Sequence, residues 1–358
     1  MPITIEAPSN EQEYLQFLAF HDEVYSSRGA YWTAIVPFQL AVLMGESPFA
    51  EERTFQPFVA REDGRIVARV LAVIDERYQN LWDEPLGHLS FFEAGPDTRD
   101  ATRKLMDAAC DWLRAKGARA ARAGMGALEF PFAVEDFATL PPCFLRQNPA
   151  YYQSLLKDAG FMSEKGLVDY RIRVTQELVA RWEGALAAVT RNGFRLVPLA
   201  EVPGAIRLSE FMFAYNEPFL RHWGYSPFVE DELATTFQAF EPFGILEHSL
   251  IAYRGDEPMG AVWVQRDTSA LAHVAPGRTI APWEKVNFLG IAVREPARGQ
   301  GVNLGMAAHA YLDLARRGYQ HLSYTLVLDD NWPSRRTAEK LGAAVCNNYL
   351  VYRRDLVR

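Results

Sequence analysis

Two stretches of this chain spell the same order of elements, and that internal repeat constrains the fold more than any composition does. Residues 58–70 and 250–262 each read as strand, Gly/Asp turn, strand, and in both, eight positions separate an alanine on the first strand (Ala60, Ala252) from a small residue on the second (Ala68, Gly260). Turn residues between alternating apolar residues are a hairpin signal. The next units repeat as well. A strand at 88–94 leads into a helical pattern that stops at Lys116-Gly117, and a strand at 287–293 leads into one that stops at Arg317-Gly318. At one constant offset Leu105 matches Met306, Leu113 matches Leu314 and Gly117 matches Gly318. A basic residue followed by glycine is an ordinary helix stop. Each half then has an asparagine (Asn148, Asn331) opening a short helix that ends in glycine (Gly160, Gly342), followed by a final strand. The order predicts an α/β chain with two tandem domains, each a mixed sheet flanked by helices. The first domain is expected over 1–174, a linker helix over 175–192 and the second domain over 193–358. A polar loop at 267–282 belongs to the second half alone, and long loops of this kind are often functional.

A length of 358 residues suits two cores better than one. No apolar run approaches the roughly 18 residues that span a bilayer, and the first residues lack the basic-then-apolar order of a secretory signal. Three scattered cysteines, Cys110, Cys143 and Cys346, offer neither a disulfide framework nor metal-ligand spacing. A reducing cytoplasm is the expected setting, with no membrane and no metal. The net charge of −8 argues against a nucleic-acid surface. The chain has no Gly-x-Ser-x-Gly and no Gly-Lys-[Ser/Thr].

Between the strand ending at Val293 and the helix beginning near Val302 sits Arg298-Gly299-Gln300-Gly301. Two glycines in such a turn let several amide N–H groups point one way, and the helix adds its own orphan donors and the positive end of its dipole. The turn is a candidate phosphate or pyrophosphate site. At the matching place in the first half the chain reads Ala94-Gly-Pro-Asp-Thr-Arg-Asp-Ala101. A proline removes one amide there, and Asp97 and Asp100 oppose an anion. The repeat therefore predicts one cofactor site, in the second half.

The segment 293–305 with Asn331-Trp-Pro-Ser and Ala338-Glu-Lys-Leu-Gly342 resembles the GCN5-related N-acetyltransferase (GNAT) superfamily. That superfamily carries a strand, then [Gln/Arg]-x-x-Gly-x-[Gly/Ala], then a helix. The repeat extends the resemblance to the first half, and segments 141–152 and 215–225 are similar to those of bacterial tandem-GNAT proteins. The resemblance implies two acyl-CoA N-acyltransferase domains, each with a mixed, mostly antiparallel sheet. The cofactor would be acetyl-CoA or another acyl-CoA, its pyrophosphate on the amides of Arg298, Gly299, Gln300, Gly301, Val302 and Asn303. Its pantetheine arm would pair with the strand through Leu289, Ile291 and Val293, and Asn331 would reach the arm or the loop. The implied activity is acyl transfer to a small-molecule or peptide amine. Two positions depart from the family: Asn303 stands where glycine or alanine is usual, and Ala338 stands where a tyrosine often protonates the leaving thiolate. Tyr324 or Tyr349 is the substitute acid. Glu284, ahead of the strand, and Glu217 or His222, on the acceptor side, are the candidate bases. A non-catalytic acyl-CoA-binding or sensing protein is the second reading. An aminoacyl or peptidyl transferase is the third, against which the net charge counts.

Overall fold

The computed structural model describes residues 2–126 and 128–356. Arg53–Glu62 pairs antiparallel with Arg65–Asp75, with Ala60 opposite Ala68. Leu250–Arg254 pairs with Glu257–Gln265, with Ala252 opposite Gly260. Asp63 and Gly64 turn the first hairpin at φ of 51° and 77°, the left-handed pair that a two-residue loop needs. The two matched helices are Arg99–Ala115 and Val302–Arg316. Leu105, Ala109 and Leu113 on one, and Met306, Ala310 and Leu314 on the other, are fully buried. Their four-residue spacing puts each set on one face.

The sheet does not stop between the halves. Met162–Arg173, the closing strand of the first half, pairs with His321–Leu328 of the second. Ala344–Asp355, the closing strand of the chain, pairs with Ala120–Ala123 of the first half, and the two closing strands pair with each other. Each half therefore lends its last strand to the other, and one nine-stranded sheet runs through the molecule. A division at residue 174 marks the repeat in the sequence but crosses the sheet. The helix Gln176–Arg191 packs along Val302–Arg316: a Cβ on Gly305 would lie 2.5 Å from Val189, and buried Trp182 donates to the Leu341 carbonyl at 3.0 Å. It is part of a core as well as a connection.

A second, four-stranded sheet holds Phe194–Pro198, Leu250–Arg254, Glu257–Gln265 and Phe288–Val293. Its edge strand Phe288–Val293 stands beside His321–Leu328, the edge of the large sheet, and no backbone ladder joins them among the described residues. Side chains bridge them at one end. Asn287 bonds the Ser323 carbonyl and amide at 3.3 and 2.9 Å, and the Thr325 hydroxyl bonds the Leu289 amide and carbonyl at 3.1 and 2.9 Å. Past Thr325 a cavity enters between the strands, with Ile291 and Val293 on one wall and Leu326 and Val327 on the other.

The halves are fastened around this cavity. His273–Val274, from the loop found only in the second half, pairs with Ala30–Tyr31. Arg53 and Arg77 of the first half both reach the Glu232 carboxylate of the second, and Arg53 also meets Asp75 at 2.8 Å. The side chains of Arg53, Asp75 and Glu232 are at most 2% exposed. Burial of such charges is tolerable because each has an opposite partner.

Candidate active site

Gly299 and Gly301 have φ of 75° and 80°, and a Cβ on either would meet nothing within 4 Å. Backbone conformation, not crowding, is what requires glycine here. The amide of Arg298 is engaged by the Glu295 carbonyl at 3.1 Å, so this expected donor is withdrawn from the set. The amides of Gly299, Gln300, Gly301, Val302 and Asn303 have no protein acceptor among the described residues. The loop is held from outside: Asn192 donates to the Gln300 carbonyl at 3.0 Å, the Gln300 side chain donates to the Pro296 carbonyl at 2.9 Å, and Arg254 bonds the Gln300 amide oxygen. Asn303 turns sideways to donate to the Thr337 hydroxyl at 2.7 Å. Its side chain is thereby tied to the neighbouring helix, which answers the crowding expected from asparagine at this place. The first turn of Val302–Arg316 carries no acidic residue, so the helix end keeps its attraction for an anion.

The strand follows the same logic. Gly290 and Ala292 alternate with Leu289, Ile291 and Val293 along the antiparallel ladder to Glu257–Gln265. The Leu289 amide and carbonyl point at Thr325 and are taken by it. Strand alternation puts the backbone groups of Ile291 and Val293 on that side too, one and two steps further along. Ile291 and the Val293 amide, rather than Leu289, are open to a ligand laid in the cleft, while the Val293 carbonyl accepts from Arg298 Nε at 3.2 Å. Across it, Tyr324 and Ser334 share a hydrogen bond of 3.0 Å, and both line the cavity. Burial pushes the Tyr324 phenol up to about 12, so it is protonated at neutral pH. Asn331 caps the helix Trp332–Lys340, accepting from the Ser334 amide at 3.2 Å, and also lines the cavity.

The cavity holds about 1380 Å³. It runs from the glycine loop through the cleft and into the first half. Aromatic rings dominate its middle: Tyr215, Phe219, Trp263 and Phe288 from the second half, Phe91 and Phe144 from the first. Phe91, Phe144 and Leu326 have φ of 53°, 74° and 46°. For bulky residues this is strained backbone, of the kind that clusters at ligand sites.

Residues 210–343 match the model of the acetyltransferase (GNAT) family. Along its whole length the chain overlays a tandem GNAT protein from the clavulanic acid biosynthesis pathway, with a TM-score of 0.57 at 12% identity, covering 100% of this chain and 99% of that one. Residues 210–343 carry the GNAT family match, and the chain as a whole has the fold of a tandem GNAT protein. It is 22% identical over 337 residues to the bacterial ceramide synthase of Caulobacter vibrioides, covering 87% of this chain and 86% of that protein. It is also 22% identical over 230 residues to the protein YghO of Escherichia coli K12, covering 63% of this chain and 58% of YghO.

In the first half, side chains occupy the matching strand, for a reason that lies outside its loop. Its strand Leu86–Ala94 runs parallel to Ala120–Ala123 only as far as Leu89 and Ala123. Beyond that, the Glu129 carboxylate accepts from the Phe91 amide at 2.7 Å, and Arg146 donates to the Phe92 carbonyl. Protein side chains thus occupy backbone groups on the stretch that parts from its neighbour. Arg146 is held by Glu129 at 2.8 Å and Glu93 at 3.1 Å. Burial would raise the Glu93 carboxyl, but Arg146, His21 and Arg69 outweigh it and hold it at about 2. The loop sequence gives no sign of these side chains, because Glu129 and Arg146 lie far along the chain from Phe91.

The remaining sequence candidates separate clearly. Glu284 is 3% exposed and sits away from the cavity. Arg278 grips both its oxygens, and the Leu140 and Ala281 amides donate to it at 2.9 and 2.7 Å. Burial is outweighed by these donors, and its pKa is lowered. It fastens the two halves and is a poor proton acceptor. Glu217 is paired with Arg294, also off the cavity. His222 lines the cavity, and burial lowers its pKa, leaving the ring neutral at pH 7. Tyr349 is buried, accepts from Asn347 at 3.2 Å and lies outside the cavity. Burial pushes the Cys346 thiol up to about 12, which removes it as a nucleophile. Among the described residues no group of His, Cys, Asp and Glu is placed to hold a metal, and no helix is long and apolar enough to cross a membrane.

Proposed function

We propose that the protein is an acyl-CoA-dependent N-acyltransferase whose second domain holds the cofactor and whose acceptor is an amine carrying a long hydrocarbon chain. The observation that supports it most is the row of unpaired amides from Gly299 to Asn303 at the mouth of the cleft. Those amides, the helix end and Arg298 fit a pyrophosphate, and the edge at Ile291 and the Val293 amide fits an amide-bearing arm laid beside it. Bound acyl-CoA supplies an activated thioester, whose carbonyl carbon bonds to the amine nitrogen as the C–S bond breaks. His222, neutral in its buried setting, takes the amine proton directly or through a water. Tyr324 holds the proton that the departing thiolate needs, with Ser334 fixing its hydroxyl. Positioning and backbone dipoles along the strand supply the rest. The volume and aromatic walls of the cavity exceed what an acetyl group and a small amine require. The name of the Caulobacter relative, a ceramide synthase, favours the same acceptor class. In this reading the reaction takes place in the cytoplasm, where acyl-CoA is made.

Calorimetry with acetyl-CoA and with a long-chain acyl-CoA tests the cofactor site. Binding is expected for at least one of them, weakened at least tenfold by Gly301→Asp, which sets a negative charge and an ill-suited φ among the amides. No binding at millimolar concentration, or unchanged binding in the variant, overturns the reading.

A further inference from the structure

Gln147 sits in the cavity wall, 5% exposed, and neither atom of its side-chain amide has a hydrogen-bond partner. Its neighbours in sequence are each held by several partners. Arg146 is clamped by Glu93, Glu129 and the Phe92 carbonyl, while Asn148 bonds the Ala133 amide and carbonyl at 2.8 and 3.1 Å. Three residues upstream, strained Phe144 packs edge-on against Phe240 and Phe288 of the second domain, at ring-centroid distances of 5.0 and 5.6 Å. The backbone on both sides of Gln147 is therefore fixed, and it is fixed relative to the cofactor strand that begins at Phe288. A buried amide without partners is costly, and native interiors hold few of them.

The same cavity contains other buried unpartnered polar atoms: the Arg146 and Arg69 Nε–H groups, the Trp263 indole N–H and the Gln39 amide oxygen. Donors and acceptors are both present. The charges nearby are already engaged: Arg146 is paired with two carboxylates, and Arg69 donates to the Phe17 and Leu18 carbonyls. An added anion or cation would meet an engaged partner, whereas a neutral group that both donates and accepts would meet free ones. A hydroxyl has that character.

We propose that the first domain, through Gln147, recognises a hydroxyl on the acceptor, so that the preferred substrate is an amino alcohol rather than a plain alkylamine. The inference rests on the proposed acceptor side of the cavity and extends it. It also gives the first domain a role in the shared site. Its own cleft is plugged, and the residue next to the plug is presented to the common cavity.

The test uses the full-length protein and two probes of equal chain length, hexadecylamine and its vicinal amino alcohol. Each competes with a fluorescent dansylated fatty amine in the absence of cofactor, and each is then assayed for thiol release with acetyl-CoA and palmitoyl-CoA. The wild type is expected to bind the amino alcohol about tenfold more tightly, a difference of about 1.4 kcal/mol. In Gln147→Met that ratio collapses to about one. Because the substitution also removes an orphaned amide, the ligand-free variant is expected to melt no lower than the wild type. Equal affinities for the two probes in the wild type overturn the proposal without any variant, and so does a preference that survives in Gln147→Met. Absence of thiol release from every cofactor, with the binding preference intact, instead removes the acyltransferase reading and leaves the hydroxyl site standing.

Discussion

Tyr324 and Ser334 meet hydroxyl to hydroxyl at 3.0 Å, one helical turn before Ala338. The family's usual acid would come from position 338, which is here a fully buried alanine. A phenol is nevertheless present in the cleft, delivered by the strand beneath the helix instead of by the helix itself. Removing it separates chemistry from binding. Tyr324→Phe is expected to lower kcat about a hundredfold, the lower end for a positioned acid, while acyl-CoA affinity stays within about twofold. Steady-state kinetics with calorimetry on the same preparation decide this. A kcat within threefold of wild type removes Tyr324 from the mechanism.

The pH profile follows from two buried groups. Burial lowers the His222 pKa below its ordinary 6.5. The neutral base accumulates as pH rises through that value, so kcat is expected to climb along an acid limb centred below 6.5 and then level off. Tyr324, raised to about 12 by burial, adds no alkaline fall in the usual range. His222→Gln is expected to lose the acid limb together with most of the rate. An unchanged limb in that variant assigns it to another group.

Calorimetry also counts sites. With Glu129 and Arg146 occupying the Phe91 amide and the Phe92 carbonyl, the expected stoichiometry is one acyl-CoA per chain. Glu129→Ala strips the Phe91 amide of its acceptor and Arg146 of a buried partner, and is expected to cost about 3–5 kcal/mol in urea unfolding. A stoichiometry of two refutes the closed first cleft.

Asp169, on the strand shared between the domains, is 1% exposed, and burial raises its pKa to about 6. The folded state holds this proton more tightly than the unfolded chain, whose carboxyl titrates near 3.8. Stability from this group is therefore present below pH 3.8 and is lost as pH rises through 6. Asp169→Asn is expected to stabilise the protein by on the order of 1–2 kcal/mol at pH 8, with the gain vanishing below pH 4. Urea titrations at the two pH values check it, and a gain that is the same at both contradicts the charge-burial cause.

Much of this protein was legible in local chemistry. The hairpin glycines, the helix stops at Gly117 and Gly318 and the loop glycines at 299 and 301 report backbone conformations that each residue's own sterics decide. The repeat then placed the single glycine loop without any structural knowledge. The site was legible only in part. Arg298, Gly299, Asn303, Ile291, Val293, Tyr324 and Asn331 line the cavity, while Glu284 and Glu217 are drawn into ion pairs with Arg278 and Arg294. A carboxylate near a strand end reads the same in sequence whether it faces a cleft or an arginine, and Arg294 lies 77 positions from Glu217.

The sequence by itself determined which elements form and which of the two matched loops carries paired glycines, because turn sterics, helix caps and strand alternation act over a few residues. Only the tertiary structure decided that each half lends its last strand to the other, that Glu129 and Arg146 seal the first cleft, and that Gln147 faces the second domain's cavity. Those outcomes depend on strand register and on the pairing of buried charges, and both are set by contacts between segments that the sequence keeps far apart.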